Sequence, residues 1–148
     1  MNPGTTEDRD RLVAAAREAC RSAHAPYSGI HVGVAIRSAA GATYTGTNVE
    51  NAAYPLGNCA EASAIAAGVA RGRRALSASR KRRCGPSIAR AMRSRSRPCG
   101  GCRQRIHEFA ENAARQHPLS LGRRGGATAS VNELLPYAFE LPASRNGR

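Results

Sequence analysis

Cys59-Ala60-Glu61 and Pro98-Cys99-Gly100-Gly101-Cys102 supply three thiols and one carboxylate that could serve a single metal ion. Zinc in a structural site takes four protein ligands, whereas a catalytic zinc keeps one position open for water. Cys59, Cys99 and Cys102 fill three positions, and Glu61 is left over beside them. That is equipment for hydrolysis. Zinc lowers the pKa of its water towards about 7, and Glu61 can carry the proton from that water to a substrate. A redox pair would explain Cys99 and Cys102 alone, and a small buried hydrophobe would explain Cys59 alone. Glu61 alone would be an ordinary carboxylate near a helix N-terminus. None of these readings explains all four residues together. A structural zinc finger fits poorly, because Cys59 has no Cys or His partner at short spacing.

The elements that must position these groups follow from the pattern around them. Cys59 and Cys99 each open a predicted helix, where the partial positive charge of the N-terminus favours thiolates. Ala60 to Ala70 is small or apolar on nearly every face, which predicts a buried helix. Arg103 to Ala114 reads as an amphipathic helix beginning at the cysteine pair, with Gly100 and Gly101 allowing the tight turn. Upstream, Thr5 or Thr6 caps a first helix carried by the Ala-rich run Leu12 to Ala19, and Ala25-Pro26-Tyr27-Ser28-Gly29 ends it. Ile30, Val32, Val34 and Ile36 alternate with smaller or polar residues, predicting a strand with one strongly apolar face. Gly41 turns the chain into a partner strand over Thr43 to Thr47, and Asn48 to Asn58 is a polar loop. Leu119 to Leu121 and Ala127 to Val131 are weaker strands. A short helical turn starts at Glu133, and residues 142–148 form a frayed tail.

The 148 residues suit one domain with a proper core. Met1 to Asp10 is polar and acidic, unlike a secretory leader, and no stretch is apolar enough to span a bilayer. With an unpaired number of cysteines (5) and no leader, the thiols read as metal-binding in a reducing cytoplasm rather than as a disulfide framework. The net charge of +13 is local: residues 71–97 hold 11 of the 23 basic side chains and no acid. Elsewhere 12 basic residues face 10 acidic ones, so the basicity is local and needs its own explanation.

Beyond the metal motif, further segments agree with one family: Ala25-Pro26-Tyr27-Ser28, Val32-Gly33, Gly46-Thr47-Asn48-Val49-Glu50-Asn51-Ala52-Ala53-Tyr54, Pro98 to Gln104, and Glu133-Leu134-Leu135-Pro136-Tyr137-Ala138-Phe139. Together they resemble the small, homotetrameric, three-cysteine type of cytidine deaminase, over most of residues 10–70 and 98–140. The resemblance implies a three-layer α/β/α sandwich around a mixed five-stranded sheet. It implies Zn²⁺ on Cys59, Cys99 and Cys102, with Glu61 as the catalytic proton carrier. Asn48 and Glu50 match ribose-binding positions, and Ala60 a backbone contact to the base. Ile30 stands where a Phe of the pocket wall is common. Phe139 resembles the aromatic residue that packs over the base in a neighbouring subunit's site. The implied reaction is water attack at C4 of cytidine or deoxycytidine, with protons delivered by Glu61 to N3 and to the departing amine. The products are uridine or deoxyuridine, for pyrimidine salvage. The implied partners are a small nucleoside, water and copies of the chain, with neither membrane nor nucleic acid; low aromatic content also argues against base stacking. Ala62 stands where many members have an Arg hydrogen-bonded to the cysteine ligands, and Arg103 is the nearest replacement.

Residues 75–97 depart from the family. There an apolar strand follows the zinc helix in the middle of the sheet, but here only Leu76, Ile88 and Met92 stand out among Arg, Lys, Ser, Gly and Pro. A strand buried on both faces should be nearly continuous in Val, Ile and Leu. Burying several unpaired Arg side chains would exceed a domain's stability of about 5–15 kcal/mol. The stretch is therefore not expected to supply the central strand. An RNA-binding or disordered insertion and a solvated loop are two explanations. The abrupt onset, the absence of acids and the recovery at Pro98 favour a third, a shifted reading frame over about residues 77–97, with Cys84 incidental. The alternatives to an active deaminase are an impaired deaminase-like protein or a basic nucleic-acid-binding zinc protein, whose affinity would fall steeply with salt.

Overall fold

The computed structural model describes residues 6–38, 40–72, 88–92, 97–110, 119–121 and 127–140. The first helix, α1 (Thr6–Arg21), is followed by a hairpin of β1 (Val32–Arg37) and β2 (Thr43–Thr47). The helix bearing Glu61, α2 (Ala60–Ala70), comes next, then β3 (Ile88–Met92) and α3 (Gly100–Phe109), which carries Cys102. Two short strands, β4 (Leu119–Leu121) and β5 (Ala127–Ala129), precede the short helix α4 (Val131–Leu134).

The hairpin is antiparallel, with Gly33 across from Thr47 and Val34 across from Gly46. Strand β1 is buried on both faces, not on one as the alternation suggests. Val32, Val34 and Ile36 join Ala60, Ala64, Ile65, Ile106, Val131 and Leu134 in one core cluster, while Ala35 packs with Leu12, Val13 and Ala16 of α1. Two glycines set how closely the helices approach. A Cβ on Gly33 would stand 2.0 Å from the Ala16 carbonyl oxygen, and one on Gly46 would stand 2.2 Å from Ala64 N. Helix backbones thus lie directly against the hairpin, α1 at Gly33 and α2 at Gly46. A nearly buried ion pair, Arg37 Nη1 to Asp8 Oδ1 at 3.0 Å, ties the start of α1 to the end of β1. The Arg37 guanidinium, by hydrogen bond, holds the Asp8 carboxyl below its usual range.

Four expectations are corrected. Ile88–Met92 lies inside the stretch judged unfit for a strand, yet it runs antiparallel to β1, with Ala89 and Ala91 across from Ala35 and Gly33. Its other neighbour is β4, in parallel, through Ala89 and Ser120. Five residues suffice for the strand, and only Arg90 among them is charged; the cost of many buried arginines applies to the whole stretch, not to this part. Of the rest of it, 75–87 (with Cys84) and 93–96 lie outside the described residues, as does the tail 142–148. Helix α2 is not buried all round: Ala66, Val69 and Ala70 are exposed, and among the described residues the hairpin and α3 pack on its other side. The last helix starts at Val131, before Glu133, because Ser130 and Glu133 close a capping box. Helix α3 ends at Phe109, short of the predicted Ala114, with Ala110 in extended conformation.

Gly46→Ala tests the closeness of the hairpin to α2. The added methyl meets helix backbone, which cannot swing aside, so a loss of about 3 kcal/mol is expected. Chemical denaturation would read it, and a variant as stable as the parent would refute the tight approach.

Candidate metal centre and active site

The three cysteines converge from two helix starts. Cys59 is the N-cap of α2 and Cys99 the N-cap of α3, both in extended conformation. Cys59 O accepts from Ser63 N at 3.1 Å, and Cys99 O from Arg103 N at 3.0 Å, so each cap closes its helix's first turn. Cys102 is fully buried one turn into α3. The Sγ atoms of Cys59, Cys99 and Cys102 all lie within 4.8 Å of one another. Zinc–sulfur bonds of about 2.3 Å at tetrahedral angles require sulfurs roughly 3.8 Å apart. A small contraction meets that requirement, and an all-thiolate set suits zinc. The residues present fit the ion.

Glu61 stands against this group. It is buried, 3% exposed, and its Oε2 accepts from Cys102 Sγ at 3.4 Å. Burial pushes the Cys59 thiol up, and the Cys99 charge adds to this. Burial and the Glu61 charge push Cys102 far above the ordinary thiol range. Burial acts upward on Cys99 too, but the Cys102 backbone N–H and the neighbouring thiols outweigh it, so Cys99 falls.

The other expected site residues form a neighbouring group. Asn48 Oδ1 accepts from Val32 N at 2.8 Å, and Asn48 Nδ2 donates to Ile30 O at 2.9 Å. Glu50 accepts from Tyr27 N at 3.0 Å, from Ser28 N at 3.2 Å and from the Ser28 hydroxyl. The Ser28 hydroxyl, above all, holds the Glu50 carboxyl below its usual range. Asn48 and Glu50 thus fix the 27–32 turn, which includes half-exposed Ile30. This turn adjoins the metal group, because Val49 and Asn58 exchange backbone hydrogen bonds of 2.9 and 2.8 Å, and Asn58 precedes Cys59. Ala60 is buried at the first position of α2, where the helix makes no use of its N–H.

Phe139 is 66% exposed, yet its backbone is held. Gln104 Nε2 donates to Phe139 O at 2.8 Å, and Phe139 N donates to Gln104 Oε1 at 3.2 Å. His107 Nε2 lies 2.8 Å from Glu140 Oε1. Residue typing did not find this tether. Gln104 and His107 stand three apart on one helix, which was a signal, but nothing in the sequence marks Phe139 and Glu140 as their partners. Arg103, the expected replacement for an Arg at position 62, bonds to the carbonyls of Pro98 and Leu134.

A family model for the cytidine and deoxycytidylate deaminase zinc-binding region matches residues 6–114, which include the three converging cysteines. The chain belongs to this family. A cytidine deaminase of Sporosarcina psychrophila is 34% identical over 134 residues, 89% of this chain and 91% of its own length. One from Halalkalibacterium halodurans is 35% identical over 134 residues, 89% and 94% of the two chains. The crystal structure of the Burkholderia pseudomallei cytidine deaminase superposes with a TM-score of 0.71 at 33% identity, covering 88% of this chain and 98% of that one. The family's zinc-binding region therefore coincides with the cysteine group found by geometry. No helix among the described residues is long and apolar enough to cross a membrane.

Zinc needs thiolates, so its uptake must expel the protons that burial keeps on Cys59 and Cys102. Acid therefore weakens binding, by about a hundredfold per pH unit where two protons leave. Calorimetric zinc titrations in buffers of different ionisation enthalpy would count those protons, and release of fewer than one would contradict the assignment. Cys102→Ser should leave substoichiometric zinc by metal analysis.

Proposed function

We propose that this chain catalyses the hydrolytic deamination of cytidine and deoxycytidine to uridine and deoxyuridine, with release of ammonia. The observation that carries the reading is the buried Glu61 carboxylate set against three converging cysteine sulfurs, from which it accepts the Cys102 Sγ bond at 3.4 Å. Bound zinc, held by Cys59, Cys99 and Cys102, supplies electrophilic activation of a water molecule. Glu61 takes the proton that this water gives up on attacking C4 and passes it to ring N3. A second transfer through Glu61 protonates the amine, so that it departs as ammonia and C4 is left as a carbonyl. Burial of Glu61 suits this work, since exclusion of bulk water keeps the transferred proton on the reacting groups.

Substrate recognition falls to the neighbouring turn. Asn48 and Glu50 offer a carboxamide and a carboxylate for sugar hydroxyls, from backbone that their own bonds to residues 27–32 make rigid. Ile30 lines the pocket wall, and the unused N–H of Ala60 meets the base. Phe139 projects from a backbone fixed by Gln104, which suits insertion into a second subunit's site within a homotetramer. The full architecture is the three-layer sandwich around a mixed five-stranded sheet, a reading supported by the strand order β2-β1-β3-β4-β5. Residues 1–148 are read as one such domain, and the free thiols of its metal group suit a reducing cytoplasm.

Glu61→Gln should retain zinc and lose cytidine turnover by at least about a thousandfold, within the range set for a general acid–base group. Loss of ultraviolet absorbance on cytidine conversion reads the turnover, and metal analysis reads the zinc. Wild-type protein that holds zinc but leaves cytidine unchanged would refute the reading. Glu50→Ala should raise KM by about tenfold or more with a smaller change in kcat, because it removes binding that ground and transition states share.

A further inference from the structure

Arg103 follows Cys102 and spends its side chain on two carbonyls. Its Nε donates to Pro98 O at 2.9 Å, and its Nη1 donates to Leu134 O at 3.1 Å. Neither acceptor belongs to a helical ladder. Pro98 precedes the N-cap Cys99, so its carbonyl lies ahead of the first intrahelical bond. Leu134 ends α4, where the last carbonyls lack intrahelical partners and a cation is favourable. Leu135 leaves the helix after it. The chain between the two ligand positions is Gly100-Gly101, and a Cβ on Gly100 would meet nothing within 4 Å. Cys99 itself is exposed, so the turn that carries it depends on its backbone contacts. The guanidinium adds a side-chain bond to buried Pro98 at the start of this turn, beside the backbone bond from Arg103 N to Cys99 O.

We infer that Arg103 is a positioning residue for the metal turn: it ties the Pro98 carbonyl to the end of α4 and so fixes the Cys99 sulfur relative to Cys59 and Cys102. It touches no substrate and acts through Cys99. Its work depends on a planar fork whose two N–H groups diverge at a set angle, which the single ammonium of Lys cannot reproduce. The inference rests on the zinc-deaminase reading above.

The test compares full-length, zinc-loaded wild type with Arg103→Lys and Arg103→Gln. The readouts are zinc loss to a chelator, the thiolate-to-metal band after cobalt substitution, kcat and KM for cytidine, and circular dichroism. Both variants should keep the wild-type fold and lose zinc at least about tenfold faster, as for other residues that orient ligands. The cobalt band should shift, and kcat should fall with KM within about twofold. Wild-type-like zinc loss and cobalt spectra in both variants would overturn the inference alone, and so would unfolding of both, which would make Arg103 a general support. If wild type holds zinc but does not turn over cytidine, the deaminase reading falls, while faster zinc loss in the variants still upholds Arg103. Wild type that holds no zinc would overturn both.

Discussion

The site depends on the meeting of two helix N-termini. Three thiols and a carboxylate crowd together where α2 and α3 begin, and as anions they would repel one another. Two positive helix ends offset part of that charge, and zinc offsets the rest. Much of the surrounding structure serves this convergence. Gly46 lets α2 sit against β2, and Ile106 anchors α3 in the same core as Ala60, Ala64 and Ile65. Rigidity here suits the proposed chemistry, in which Glu61 stays within reach of the water without becoming a ligand itself.

Polar side chains elsewhere act as struts. Asn48 behaves like an extra length of backbone, accepting from Val32 N and donating to Ile30 O. Glu50 gathers two N–H groups and a hydroxyl from Tyr27 and Ser28. The same residues are the ones proposed to meet the sugar, so the recognition groups are held in place before substrate arrives. Helix α3 plays a comparable part at the other end of the chain: Arg103, Gln104 and His107 reach Leu134, Phe139 and Glu140 in turn. A short terminal segment with few buried side chains gains its order from these polar contacts.

The basic stretch shows how far charge alone can decide structure. Averaged over residues 75–97, its arginines argue against any buried strand. Among the described residues of that stretch, Ile88–Met92 pairs with β1, with alanines placed across from Ala35 and Gly33, beside α1.

The meeting of Cys59, Cys99 and Cys102 beside Glu61 was legible in the sequence, since thiols at two helix starts with one neighbouring carboxylate suit a shared metal ion. The spans of β2 and α2 were legible too, because Thr-rich alternation and an uninterrupted Ala-rich run each specify a local conformation. What only the tertiary structure decided were contacts between distant segments. Both faces of β1 became buried because α1 returns over Gly33, and one side of α2 stayed exposed while the hairpin and α3 packed on the other. Arg103 turned to two carbonyls, not to the cysteines, because Pro98 and the end of α4 lie within its reach. Local pattern determines which element forms and which side chains could react. Which partners those side chains meet depends on packing between elements far apart in the chain, and no spacing along the sequence encodes it.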